Sequence, residues 1–252
     1  MYIRYITALI LLSPFIPGTG QSATVKKITL GEAVSEAILN NPSLTAGFQK
    51  KALVAEVENA YFNLVYQINR YTILQQEASL LHDIERVANL RFEAGDIDLL
   101  ERSTMINRIA KIRTEISMLD DELAISGNKL KLLLLTSDDL LPADSVLTLY
   151  AIQKGTSPPG SDPSAPLLPD NKRETLEFEL NKYFKKILYF QQVALARADI
   201  LIGISQIRFE KEDIDYTEFV QNTEEGFLIR LEYMQTLNNY NQTAIQLELY
   251  AY

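Results

Sequence analysis

Arg91-Phe92-Glu93-Ala94-Gly95-Asp96-Ile97-Asp98 returns 117 residues later as Arg208-Phe209-Glu210-Lys211-Glu212-Asp213-Ile214-Asp215, with six of the eight positions identical. At the same offset Glu101 meets Glu218, Ile112 meets Ile229, Arg113 meets Arg230, Leu130 meets Leu247 and Leu132 meets Leu249. Each copy sits between two stretches of helical period. Ahead of the first, apolar residues fall at Val57, Tyr61, Leu64, Ile68, Tyr71, Leu74, Ala78, Leu81, Ile84 and Ala88, at spacings of three and four. That pattern predicts one helix from about Phe48 to Phe92, on the order of 65 Å long at about 1.5 Å per residue. Behind it, Leu99, Ile106, Ile109, Ile112, Ile116, Leu119, Leu123, Leu130 and Leu133 continue the seam. Two long helices joined by a few residues must fold back on each other. The second copy has the same surroundings: a helical run from about Lys172 to Phe209, a pause at 211–213, and a run through Phe219, Phe227, Leu231, Met234, Leu237, Ala244 and Leu247. The fold class read from the sequence is therefore all-α, two tandem long antiparallel coiled-coil-like helical hairpins related by an internal repeat.

The remaining organisation follows from breakers and caps. Residues 1–20 read as a secretory signal peptide: Arg4, an apolar run from Tyr5 to Leu12 too short to span a bilayer, then Pro14, Pro17 and Gly18. Residues 28–45 read as a short helix and turn. Thr29-Leu30-Gly31-Glu32 has the form of a capping box, Ala33, Val34, Ala37 and Ile38 share a face, and Pro42 follows the expected end near Asn40. The first hairpin is assigned to 46–141, a proline-rich linker to 142–171 and the second hairpin to 172–252. Within the linker, residues 155–170 hold five of the nine prolines, which deny a helix both amide donors and backbone angles. No stretch after the signal reaches about 18 apolar residues, so no membrane-spanning helix is expected beyond it.

Composition narrows the function classes. The chain of 252 residues has no cysteine, which excludes disulfides, thiolate metal sites and a cysteine nucleophile. Its formal charge of -9 repels phosphate backbones, so no nucleic-acid partner is expected. The single histidine, His82, has no second imidazole to share a metal. Acidic clusters at Asp120, Asp121 and Glu122 and at Asp138 and Asp139 lack the ordered spacing and central glycine of a calcium loop. They read as solvated helix faces. Ser103 and Thr104 have no histidine base, and no glycine-rich loop could cradle a phosphate. No enzyme, metal or cofactor is expected. The tyrosines at 61, 66, 71, 183, 189, 216, 233, 240, 250 and 252 read as packing residues with a polar end. Polar faces carrying Gln67, Asn69, Gln75 and Gln76, or Asn238, Asn239 and Gln242, are candidates for lining a lumen.

In order, these segments resemble the TolC-like outer-membrane efflux proteins, in particular the branch paired with heavy-metal resistance-nodulation-division pumps. Ile28-Thr29-Leu30-Gly31-Glu32-Ala33-Val34 followed by Leu39-Asn40-Asn41-Pro42-Ser43-Leu44 is similar to the family's N-terminal motif. Val57-Glu58-Asn59-Ala60-Tyr61-Phe62-Asn63-Leu64 resembles the start of its returning helix, 91–97 its first hairpin tip, and Tyr240-Asn241-Gln242-Thr243-Ala244-Ile245-Gln246-Leu247-Glu248 its last helix. The resemblance implies an exported protein of a Gram-negative outer membrane and periplasm. It further implies a homotrimer whose helices form a tunnel, a periplasmic adaptor protein docked on the tunnel tip, and an inner-membrane resistance-nodulation-division pump behind it. Matched to the family's adaptor-facing turns, the contact residues would be Glu93, Ala94, Gly95, Asp96, Ile97 and Asp98 in one tip and Glu210, Lys211, Glu212, Asp213, Ile214 and Asp215 in the other. Turn chemistry alone accounts for the same residues, with Gly95 supplying a left-handed backbone and the acids solvating an exposed end.

The sequence departs from that family in one respect. Each family repeat contributes strands to a membrane barrel, and such a strand needs about nine to eleven residues of alternating polarity. Thr45-Ala46-Gly47 runs almost directly into the long helix, the linker passes straight to helix at Lys172, and Ser145 to Ile152 is too short. Both barrel segments are expected to be missing. An alternative function follows, a truncated periplasmic coiled-coil scaffold or the remnant of an efflux gene that makes no channel.

Overall fold

The computed structural model describes residues 25–44, 47–152 and 170–251; the expected signal peptide and most of the proline-rich linker lie outside them. Strand β1 (Val25–Ile28) leads into α1 (Leu30–Asn40) through the capping box that the sequence announces. Thr29 Oγ1 accepts from the Glu32 amide at 3.2 Å, and Glu32 Oε2 accepts from the Thr29 amide at 2.8 Å. Helix α2 (Gly47–Ala94) runs to the first tip and α3 (Leu99–Leu134) returns. Strand β2 (Asp139–Pro142) pairs in parallel with β1, with Val25 opposite Asp139 and Ile28 opposite Pro142. This pair was not expected, since 139–141 fell within the hairpin span. Helix α3 stops before it: Leu135 takes the left-handed conformation at φ 52°, and Thr136 closes the end on the Lys131 carbonyl at 3.2 Å.

After β2 an extended strap, residues 143–152, lies across the bundle with Leu147 and Tyr150 buried. The second hairpin consists of α4 (Asp170–Tyr189), a single π-helical turn (Phe190–Ala194), α5 (Leu195–Glu210) and α6 (Tyr216–Ala251). The wide turn has a packing correlate: Phe190 is buried against the Tyr233 ring at 5.8 Å, and Gln191 donates to the Tyr233 hydroxyl at 3.1 Å. At the crossing of α5 and α6, a Cβ on Gly226 would meet Ile202 Cγ1 at 2.6 Å and the Ala198 carbonyl at 3.0 Å. The helices approach as closely as glycine allows.

Packing is laid out in sequence along the bundle. Helix α2 packs on α3 and α6, and α6 carries α4 and α5 on its other side. Two apolar cores result. One gathers Ile28, Ala33, Ala37, Tyr61, Leu64, Leu130, Leu134, Leu147, Ile187, Leu237 and Ile245 around the strand pair and strap. The other lies behind the tips and includes Leu81, Ile84, Met105, Ile112, Phe209, Tyr216 and Phe219. Among the described residues the only sheet is the two-stranded one, and no barrel strand is present.

The outer helices carry large apolar side chains among the charged residues of their exposed sides. Met118, Ile125 and Leu132 of α3, seven residues apart, are each at least 60% exposed. Tyr189, Val193, Ile200, Ile204 and Ile207 form a second exposed stripe along α4 and α5. The joined helix 171–210 is long and apolar enough to cross a membrane by length and composition, with a window of mean hydropathy 1.4 of which 22% is buried. Arg197 and Asp199 interrupt the apolar run, so no unbroken stretch marks it in the sequence. Both are paired sideways on α6, Arg197 with Glu225 and Asp199 with Arg230 at 2.7 Å.

Candidate functional site

The two tips are closed by the same bonds. At the first, the Asp96 amide reaches the Arg91 carbonyl at 2.9 Å and the Gly95 amide the Phe92 carbonyl at 3.1 Å. At the second, the Asp213 amide reaches the Arg208 carbonyl at 2.8 Å and the Glu212 amide the Phe209 carbonyl at 3.1 Å. This is the helix stop that requires a left-handed residue, and Gly95 at φ 81° and Glu212 at φ 62° supply it. Asp98 and Asp215 then start the return helices, accepting from the Glu101 amide at 2.9 Å and the Glu218 amide at 2.8 Å. Glu101 closes a capping box on Asp98, whereas Glu218 turns to Arg208 at 3.0 Å.

Glycine adopts a left-handed backbone freely and glutamate does not. Gly95→Ala is expected to cost about 1 kcal/mol of unfolding free energy, since no neighbour lies within 4 Å of the new methyl and only backbone strain is added. Glu212→Gly should instead gain roughly 0.5 kcal/mol, because the Arg91 partner it gives up is an exposed ion pair of small value. Urea denaturation of both variants checks the pair of signs.

The tips also hold each other. Arg91 Nη2 lies 2.6 Å from Glu212 Oε1, and its guanidinium sits 5.7 Å from the Phe209 ring. Phe209 packs on Tyr216 at 4.6 Å and Phe219 at 5.0 Å. The Tyr216 hydroxyl is buried in this cluster without a hydrogen-bond partner among the described residues, and burial pushes its pKa up to about 12.

These roles divide the twelve candidate contact residues. Glu93, Ala94, Asp96, Lys211 and Asp213 are exposed and play no side-chain part in closing the turns. Glu210 is exposed and accepts from Gln206 at 3.2 Å. Gly95, Glu212, Asp98 and Asp215 are exposed but shape the turns. Ile97 is half-buried and packs on the edge of the apolar cluster, whereas Ile214 is buried within it beside Phe209 and Tyr216. Ile214 supports the tip from inside.

Behind the tips lies a feature that sequence reasoning missed. Glu77 of α2 is fully buried and bonded by Arg108 of α3, whose Nε stands 3.1 Å from Glu77 Oε1 and whose Nη1 stands 2.7 Å from Glu224 Oε1 of α6. Three helices thus meet on one guanidinium. In the sequence these charges look like ordinary solvated positions.

The other candidates are ordinary in place. Glu122 accepts from Arg70 at 2.8 Å, Asp139 pairs with Lys131, and His82 is 73% exposed beside Glu85 at 3.5 Å. Among the described residues no three acidic or histidine side chains converge to hold a metal ion. Of the amides considered for a lumen, Gln67 and Asn238 are buried between helices, since both fall on the seam where α2 and α6 carry apolar neighbours. That part of the expectation is corrected. The tyrosine reading holds for Tyr61, which is buried and donates to Asp144 at 2.6 Å, but Tyr189 is 53% exposed on the apolar stripe.

No family model and no curated protein matches the sequence. Solved structures do match. A membrane protein from Pseudomonas aeruginosa superposes with a TM-score of 0.62 at 13% identity, over 87% of this chain and 72% of that one. CusC, from a structural study of transmembrane channel formation, gives 0.64 at 13% identity over 88% and 95%. The outer-membrane channel OprN gives 0.61 at 13% identity over 88% and 70%. At these scores and identities the likeness establishes architecture: the helices of this chain have the fold of TolC-like outer-membrane efflux proteins.

Proposed function

We propose that this chain is the periplasmic helical part of an outer-membrane efflux conduit, a passive component with no catalytic step. In this reading three copies assemble side by side, and the tips dock a periplasmic adaptor protein that links the conduit to an inner-membrane resistance-nodulation-division pump. The observation that carries the reading is the agreement of the helical fold with the channel proteins CusC and OprN over 88% of the chain. The exposed stripes on α3 and on α4 and α5 support the assembly. They are different surfaces on different helices, so contact between them is head-to-tail, and a head-to-tail contact closes into a ring when its rotation allows. The signal-like residues 1–20 support export.

Adaptor docking is tested at the residues that are exposed and unused in closing the turns. Replacing Glu93, Asp96, Lys211 and Asp213 together by serine should leave the thermal midpoint unchanged. Retention of the protein on an immobilised adaptor should fall by about tenfold or more, because contact energy concentrates in few residues. Equal retention would refute docking through the tips.

The second reading, a periplasmic coiled-coil scaffold or efflux-gene remnant, draws on the described residues having no barrel strand. Conductance in liposomes separates the two: reproducible channels exclude the scaffold, and none exclude an autonomous conduit.

A further inference from the structure

The side of α2 turned toward the strap carries Glu58, Tyr61, Phe62 and Asn69, which meet Tyr150, Asp144 and the Ser145 carbonyl. Glu56, Asn59 and Asn63 lie roughly 130° around the helix from them, at about 100° per residue. On that side α2, α3 and α6 leave an open groove of about 630 Å³ between them. A groove of this size takes a small molecule.

Its register is set by one bond. Asn63 donates to Ser126 Oγ at 3.0 Å, which fixes α3 against α2. Because α3 runs antiparallel, Lys129 comes level with Ala60, one turn from Glu56 and about 6 Å away along the axis. Gln242 and Gln246 of α6 form the opposite wall. Phe48 and Tyr250, with ring centroids 5.9 Å apart, close the far end beside Leu249.

The polar groups of this groove are free. Among the described residues neither Glu56 nor Lys129 has an ion-pair or hydrogen-bond partner, nor do the side-chain amides of Gln242 and Gln246. Asn59 Oδ1 is buried in the wall, also without a partner among the described residues. A buried acceptor left unpaired costs free energy that an incoming donor recovers. One acid and one base a turn apart, with amides that both donate and accept around them, match a molecule with an ammonium at one end, a carboxylate at the other and a peptide group between. Two extended residues span about 7 Å, close to the offset between the two charges.

We propose that the groove is a binding subsite for short zwitterionic peptides. Lys129 takes the carboxylate, Glu56 the ammonium, and Asn59, Gln242 and Gln246 the peptide group, while the end at Phe48, Leu249 and Tyr250 takes an apolar side chain. The place of the groove in the assembly rests on the conduit reading. There this side of α2 faces the lumen, since the strap occupies the other side and the exposed stripes of α3 and of α4 and α5 lie between copies. A passive route must release its cargo, so binding is weak, on the order of 1 mM.

Saturation-transfer NMR on the full chain, with the dipeptide alanyl-leucine as probe, tests the subsite. Lys129→Gln and Glu56→Gln, both at exposed positions, should each weaken binding by about tenfold with an unchanged circular dichroism spectrum. Capping both ends of the dipeptide, with acetyl and amide groups, should weaken it by at least about as much. No transfer up to about 20 mM dipeptide overturns the proposal. So does a capped dipeptide bound as tightly as the free one, a neutral disaccharide that competes on equal terms, or undiminished binding in both variants. Light scattering on the same samples separates this result from the conduit. A three-chain particle that ignores the peptide keeps the conduit and removes the subsite, whereas a single chain that binds it keeps the subsite and removes the lumen.

Discussion

Arg108→Ala is expected to cost about 3–5 kcal/mol of unfolding free energy near neutral pH, the largest single loss the bundle offers from a surface-to-core charge pair. Arg108 is the group that bonds Glu77, and Glu77 is fully buried with one carboxylate oxygen already lacking a partner. Removing the guanidinium leaves an ion in an apolar seam. It also frees Glu224, which keeps Lys111 at 3.5 Å and loses little. Burial already raises the Glu77 carboxyl above its ordinary value although Arg108 pulls it down, so the variant raises it further. The sign follows from the raised folded value: Glu77 is neutral at low pH and harmless, and its ionisation costs stability as pH rises from about 4.5 through that value. The deficit of Arg108→Ala should therefore shrink in acid, and Glu77→Gln added to it should recover part of the loss at neutral pH. Urea unfolding at two pH values checks this. A deficit under about 1 kcal/mol, or one equally large in acid, would mean that the three helices are not held by this guanidinium.

Replacing Ile200, Ile204 and Ile207 together by glutamate is expected to abolish self-association while leaving the fold of the single chain intact. Each of these side chains is at least half exposed, so their loss removes little from the interior. On a shared face between copies the same change inserts three carboxylates where an apolar stripe was covered, and each uncompensated burial costs several kcal/mol. Sedimentation equilibrium should find the variant as single chains with an unchanged circular dichroism spectrum. Association at undiminished strength would place the contact on another surface.

The parts of this fold that were legible in the sequence are those whose cause is local. Capping at Thr29 follows from side chains within four residues, and the period of apolar residues sets the long helices whatever they pack against. The tips were legible for a stronger reason: Arg91 to Asp98 and Arg208 to Asp215 spell the same helix stop and restart, so each copy tests the reading of the other. Glu212 in the left-handed conformation shows that the surrounding pattern, more than the glycine, fixes the turn.

What stayed hidden is non-local. The β1–β2 pair joins Val25 to Asp139 through four-residue strands, too short to show alternation. Leu147 and Tyr150 read as a failed strand because the partners of Tyr150, Asn241 and Glu58, lie on other elements. Glu77 and Arg108 are ordinary helix charges until α2, α3 and α6 converge, and the burial of Ile214 depends on Phe209 and Tyr216 from the two flanking helices. The stripe on α4 and α5 escaped because two paired charges masked its mean polarity.

The most direct test of the conduit is the mass of the purified protein by light scattering after size exclusion, in detergent and in detergent-free buffer. A particle of three chains is the predicted result. A single chain in both conditions, at concentrations well above those of the periplasmic pool, would contradict the conduit and leave the scaffold reading in place.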